Sequence, residues 1–185
     1  MKRDQLLKSV VVCFYENTVL FVARIVNTMV SRRIPKYELS DIHVRNAKLL
    51  STREELLGKL PQNGVVAELG VDEGGFSQLI LSINKPSKLH LVDFWGSKRY
   101  NQLKRKKVES LFQEGINNNG VEINIGLSTE VVKDFNDNYF DLVYIDTSHS
   151  YKTTIEELEL YSEKVKIDGV IAGHDYILGN WNGMI

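Results

Sequence analysis

A chain of 185 residues with 43% apolar and 25% charged residues has the make-up of an ordinary globular protein, long enough for one well-cored domain and too short for two. Its formal charge of -1 carries no bulk preference for nucleic acid or an anionic membrane. A lone cysteine, Cys13, excludes an internal disulfide and a thiolate metal cluster and fits a reducing cytoplasm.

The first element, Leu6 to Val30, has the length of a membrane span but is interrupted by Lys8, Glu16 and Arg24. On a helical projection its polar residues gather on one side, opposite Leu7, Val11, Phe14, Phe21, Ile25 and Met29. This is an amphipathic helix, expected to pack on its own domain or a second subunit. Pro35 and its polar neighbours then break the pattern, which divides the chain into a helical extension, 1–49, and a main domain, 50–185. Thr52 and Glu55 have capping-box spacing at the head of a short helix carrying Leu56, Leu57 and Leu60.

Apolar runs and helical patterns alternate from there. GVVAELG precedes a helix from about Phe76; KLHLVDF precedes a charged helix through LKRKKVESLFQEG; VEINIG precedes STEVVKDF; FDLVYID precedes YKTTIEELELYSEKV; and GVIAGHD closes the series. Five strands separated by four helical segments predict a Rossmann-like, doubly wound parallel sheet of the α/β class. Ligands in such sheets sit beyond the carboxyl ends of the strands. Each predicted strand delivers polar or small residues there: Glu68 and Gly70, Asp93, Gly126 and Ser128, Asp146, His174 and Asp175.

The first of these turns joins glycines (Gly70, Gly74, Gly75) to carboxylates (Glu68, Asp72, Glu73). A dinucleotide site uses a glycine turn to approach a pyrophosphate, which this acidity would repel. A cationic ligand without phosphate suits it better, and S-adenosylmethionine is one. Asp93, 23 residues after Gly70, stands where a carboxylate accepts ribose hydroxyls, a spacing shared with NAD enzymes. The basic run Lys104 to Lys107 is nearly balanced by Glu109 and Glu114 and has no aromatic platform, so a solvated helix face is expected and not a nucleic-acid site.

VVAELGVDEGGFS, LHLVDFW, GLSTEVVKDF, FDLVYIDTSHSY and GVIAGHDY together resemble the class I S-adenosylmethionine-dependent methyltransferases, most closely the small-molecule O-methyltransferase branch with IDxxHxY and HDY segments, over residues 50 to 178. The resemblance implies strand order 3-2-1-4-5 and S-adenosylmethionine as cofactor. Glu68, Gly70 and Gly74 would line its methionine end, Asp93 its ribose, and Phe94 and Ser128 the neighbourhood of the adenine; for Phe94 and Trp95 core packing stays an alternative. It further implies a divalent metal, Mg²⁺ or Mn²⁺, on Asp146, Asp175 and His174, which would lower the pKa of an acceptor hydroxyl. Two positions depart from the metal-dependent branches: Ser148 and Tyr176 stand where a carboxylate and an asparagine would be.

Methyl transfer also needs a proton acceptor. Beside Asp146, His149 is the preferred catalytic base, because an unperturbed histidine titrates near neutrality; a helix cap or a rim hydrogen bond is its alternative role. Tyr151 either borders the acceptor pocket or packs, and His43 and His90 carry no functional expectation. The helix and antiparallel hairpin that usually follow strand five in this class are expected to be missing, since the sequence reads NWNGMI there. Strand five would then be an exposed edge, which with the N-terminal helix favours a homo-oligomer. The sequence thus predicts a cytoplasmic S-adenosylmethionine-dependent O-methyltransferase acting on a small molecule such as a sugar or secondary metabolite. A non-catalytic cofactor-binding or assembly module and an NAD-dependent oxidoreductase are the alternatives.

Overall fold

The computed structural model describes residues 39–175 together with Val22 and Ile25. Most of the amphipathic segment Leu6 to Val30, with Cys13, lies outside the described residues, as does everything from Tyr176 onward. The chain divides into two compact units, the second running from Lys48 to Tyr176. Of the first unit, the described residues include helix α1, Asp41–Val44. Among the described residues no helix is long and apolar enough to cross a membrane.

The second unit opens with α2, Arg53–Lys59. Thr52 caps it by accepting the Glu55 amide at 3.1 Å, but the expected box closes one residue early: the Glu55 carboxylate accepts from the Ser51 amide and hydroxyl at 3.0 and 2.8 Å. The five strands are β1 (Val65–Leu69), β2 (Lys88–Asp93), β3 (Val121–Ile125), β4 (Phe140–Ile145) and β5 (Val165–Gly173). All pair in parallel in the order β3-β2-β1-β4-β5, the doubly wound sheet the alternating pattern predicts. Helix α3 (Gly75–Ile83) links β1 to β2, α4 (Gln102–Leu111) and α5 (Gln113–Asn117) link β2 to β3, α6 (Ser128–Val131) with a 3₁₀ turn (Val132–Asp134) links β3 to β4, and α7 (Tyr151–Ser162) links β4 to β5.

Near-continuous apolar runs are what a strand covered on both faces requires. Val66, Leu89, Leu91 and Leu142 pack with Leu57, Ile80 and Val108 in one core; Ala67, Leu69, Val92, Val143 and Ile145 pack with Val131, Val132 and Tyr161 in the other. Removing a side chain as enclosed as Leu57 costs about 2–5 kcal/mol. His90 faces the second core at 3.1 Å from both the Asn124 carbonyl oxygen and the Tyr139 hydroxyl, beside the Phe135 ring, and burial lowers its pKa. It is structural.

The single charged helix expected after β2 is broken at Phe112, whose φ and ψ of -107° and 17° leave the helical range. The break lets the buried Phe112 ring cover the start of α3: a Cβ on Gly74 would stand 2.8 Å from it. With φ of +82°, Gly74 is doubly constrained, by backbone conformation and by that ring.

Candidate active site

A cavity of about 550 Å³ opens beyond the carboxyl ends of β1 to β4 and is closed on one side by the first turns of α7. Gly70, Asp93, Phe94, Ser128, Asp146 and His149 line it; Glu68, Gly74, His174 and Asp175 do not. Gly70 is required by contact as well as conformation. Its φ is +87°, and a Cβ would lie 2.0 Å from the Asp146 carbonyl oxygen, so the turn after β1 and the loop after β4 touch at this residue.

The carboxylates of the glycine turn are not the open acidic cradle that their number suggests. Glu68 is 1% exposed, faces the first core and hydrogen bonds to the Ser77 hydroxyl on α3. Burial, reinforced by the nearby Asp146 and Asp93, pushes its pKa up to about 8, so it is mostly protonated at neutral pH. Asp72 and Glu73 are engaged by Lys104 and Lys107 on α4, and the Lys107 ammonium holds the Glu73 carboxyl below its ordinary range. The basic run therefore bolts α4 to the glycine turn. Asparagine 101 makes this possible by capping α4, accepting from the Leu103 amide at 3.0 Å.

Asp93 organises the same turn from β2. One carboxylate oxygen accepts the Val71 and Asp72 amides at 2.9 and 3.0 Å, and the other accepts the Trp95 amide at 3.0 Å. Its two neighbours both line the cavity but differ in exposure. Phe94 is 51% exposed on the cavity wall, whereas Trp95 is buried and donates its indole N–H to the Asp72 carbonyl at 3.0 Å.

At the other end stand Asp146 and His149. Ser150, and not His149, caps α7, accepting the Thr153 amide at 3.1 Å. His149, at φ +56°, is left to place Nε2 3.6 Å from Asp146 Oδ1 and 3.5 Å from Asp175 Oδ2. His174 Nδ1 lies 3.0 Å from Asp175 Oδ1 and 3.8 Å from Asp146 Oδ1. Arg53, a residue the sequence reading passed over, brings its guanidinium to 3.9 Å from Asp146 Oδ2 while lying 4.8 Å above the Phe76 ring. Burial raises the Asp146 pKa, and His174, His149 and Arg53 oppose the shift.

The expected metal set of Asp146, Asp175 and His174 is thus brought together, with His149 beside it. Among the described residues no group of three His, Cys, Asp or Glu is arranged to hold a metal ion. The donors close on one another: His174 and His149 each lie within 3.8 Å of a carboxylate oxygen of both aspartates. The residues do not fit the expected ion.

A family model described as "Methyltransferase domain" matches residues 67–176, which carry β2 to β5, most of β1 and the whole cavity wall. The chain belongs to this methyltransferase-domain family. Solved structures agree on the fold. A spermidine synthase in complex with the transition-state analogue AdoDATO superposes with a TM-score of 0.51 at 23% identity, covering 65% of this chain and 44% of that one. A geranyl diphosphate methyltransferase in complex with GPP and sinefungin gives 0.52 at 11%, covering 65% and 43%. A Staphylococcus aureus protein assigned as a caffeoyl-CoA O-methyltransferase gives 0.51 at 17%, covering 71% and 61%. The methyltransferase domain spans less than two thirds of each of these proteins. No curated protein matches it.

Proposed function

We propose that this domain binds S-adenosylmethionine in the cavity and transfers its methyl group to a hydroxyl of a small molecule. The observation that carries the reading is the continuity of one cavity, from Asp93 and Phe94 at the nucleoside end to Asp146 and His149 at the reacting end. Asp93, its carboxylate fixed by three amides, presents its remaining lone pair to a ribose hydroxyl, and the Phe94 ring offers an apolar face to the adenine. The neutral Glu68 leaves Asp146 to balance the sulfonium and ammonium charges, and Arg53 beside it suits the cofactor's carboxylate.

In the transfer, the acceptor oxygen attacks the methyl carbon in line with the carbon–sulfur bond, which breaks to leave a neutral thioether. His149 takes the hydroxyl proton, and Asp146 and Asp175, at 3.6 and 3.5 Å, stabilise the imidazolium that forms. No step is assigned to a metal. Calorimetric titration of S-adenosylmethionine into the protein tests the reading: saturable one-to-one binding is expected, and folded protein that takes up none overturns it. In an acceptor screen, His149→Ala is expected to lose about 10²–10⁴-fold in rate with cofactor affinity retained.

A further inference from the structure

The methyl-transfer reading gives no task to one charged group in the cavity wall. Glu157 on α7 is 0% exposed, yet among the described residues no lysine or arginine pairs with it. Both its oxygens are used by hydroxyls from different loops: one accepts from Ser128 Oγ, in the segment after β3, and the other from Thr147 Oγ1 at 2.9 Å, in the segment after β4. Tyr161, one turn further along α7, donates its hydroxyl to the Ser128 carbonyl at 3.0 Å, so Ser128 is held through backbone and side chain alike. Ser128 lies at the nucleoside end of the cavity, and Thr147 follows Asp146 directly.

A carboxylate enclosed without a cation is costly, and burial raises its pKa even with two hydroxyls favouring the charged form. Packing alone would be met by a leucine or methionine. What a carboxylate adds is two strong acceptors on a stiff helix, at the spacing of the two loops.

We propose that Glu157 is a positioning residue that clamps the loop after β3 to the loop after β4, fixing the nucleoside-binding wall relative to the reacting end before any ligand arrives. The proposal rests on the methyl-transfer reading for the identity of that ligand. In Glu157→Gln the shape is kept but one acceptor oxygen becomes an amide donor, so one of the two hydroxyls can only accept from it, in a neutral bond weaker than the charge-assisted one it replaces. One loop is then held less tightly.

The test is amide hydrogen exchange on the ligand-free protein together with calorimetric titration of S-adenosylhomocysteine. Glu157→Gln is expected to speed exchange about tenfold in residues 126–130 and 146–150 while β1 and β2 stay protected, and to weaken S-adenosylhomocysteine about tenfold at an unchanged fraction folded. A filler of the core would instead change protection throughout the domain and leave the affinity of folded molecules alone. Ser128→Ala and Thr147→Val approach the clamp from its other side; each is expected to release its own loop and to have a smaller effect in the Glu157→Gln background than in wild type. If Glu157→Gln does not fold, these two variants decide. Protection and affinity equal to wild type, or additive effects, overturn the clamp. Failure of the wild-type protein to bind S-adenosylhomocysteine refutes the methyl-transfer reading instead, and the exchange pattern still judges the clamp.

Discussion

Replacing Glu68 by glutamine should remove a large pH dependence of stability. The folded-state pKa of about 8 exceeds the ordinary value of 4.5, so between those pH values the native protein binds a proton that the unfolded chain releases. Stability from this group is complete below pH 4.5 and is lost progressively as pH rises toward 8. Integrated from pH 6 to pH 9, the loss is about 3 kcal/mol, since each pH unit below the folded pKa contributes about 1.4 kcal/mol. Glutamine keeps the neutral shape and the contact with Ser77 but has no proton to lose. Urea unfolding of both proteins at several pH values isolates the effect, because every other titrating group cancels in the difference. Wild type is expected to lose about 3 kcal/mol more than Glu68→Gln across that interval. Parallel stability profiles would show that Glu68 ionises normally, and the neutral floor beneath the glycine turn would have to be abandoned.

Three further outcomes follow from the site. Asp93→Ala frees three amides of the glycine turn and is expected to weaken S-adenosylhomocysteine at least tenfold, about the value of one charge-assisted hydrogen bond; unchanged affinity removes Asp93 from the nucleoside site. Raising salt from 50 to 500 mM should weaken the same ligand by up to about fivefold in wild type, by screening the bolt between α4 and the turn, and should have no such effect in a Lys104→Met, Lys107→Met double variant. Titration of Mg²⁺ or Mn²⁺ is expected to give no saturable heat; a one-to-one site that disappears in Asp146→Ala would restore the metal.

The strands were legible because a parallel sheet buried on both faces writes itself as apolar runs, and the strand ends could be aligned on one rim by counting; the strand order came from the family resemblance. Side-chain direction at that rim was harder to read. Glu68 and Gly70 are two residues apart, yet one faces the core and the other the cavity, because the strand ends at Leu69 and the chain turns at Gly70 with φ of +87°. Partners far apart in sequence stayed hidden for the same reason. Nothing local marks Lys104 and Lys107 as counterions for Asp72 and Glu73, or Glu157 as the acceptor for Ser128 and Thr147. Arg53 was hidden by its place in a helix that precedes the sheet. The break at Phe112 was masked by a helical pattern continuous through LKRKKVESLFQEG, since only the glycine turn explains why that ring must turn inward.

The meeting of Gly70 with the Asp146 carbonyl has a consequence for how such a domain can diversify. The two loops meet there with no room for a methyl group, and any side chain at position 70 would shoulder the aspartate out of line. New acceptors are therefore most readily accommodated by changes in the loops and helices around this joint, while the joint itself stays bare.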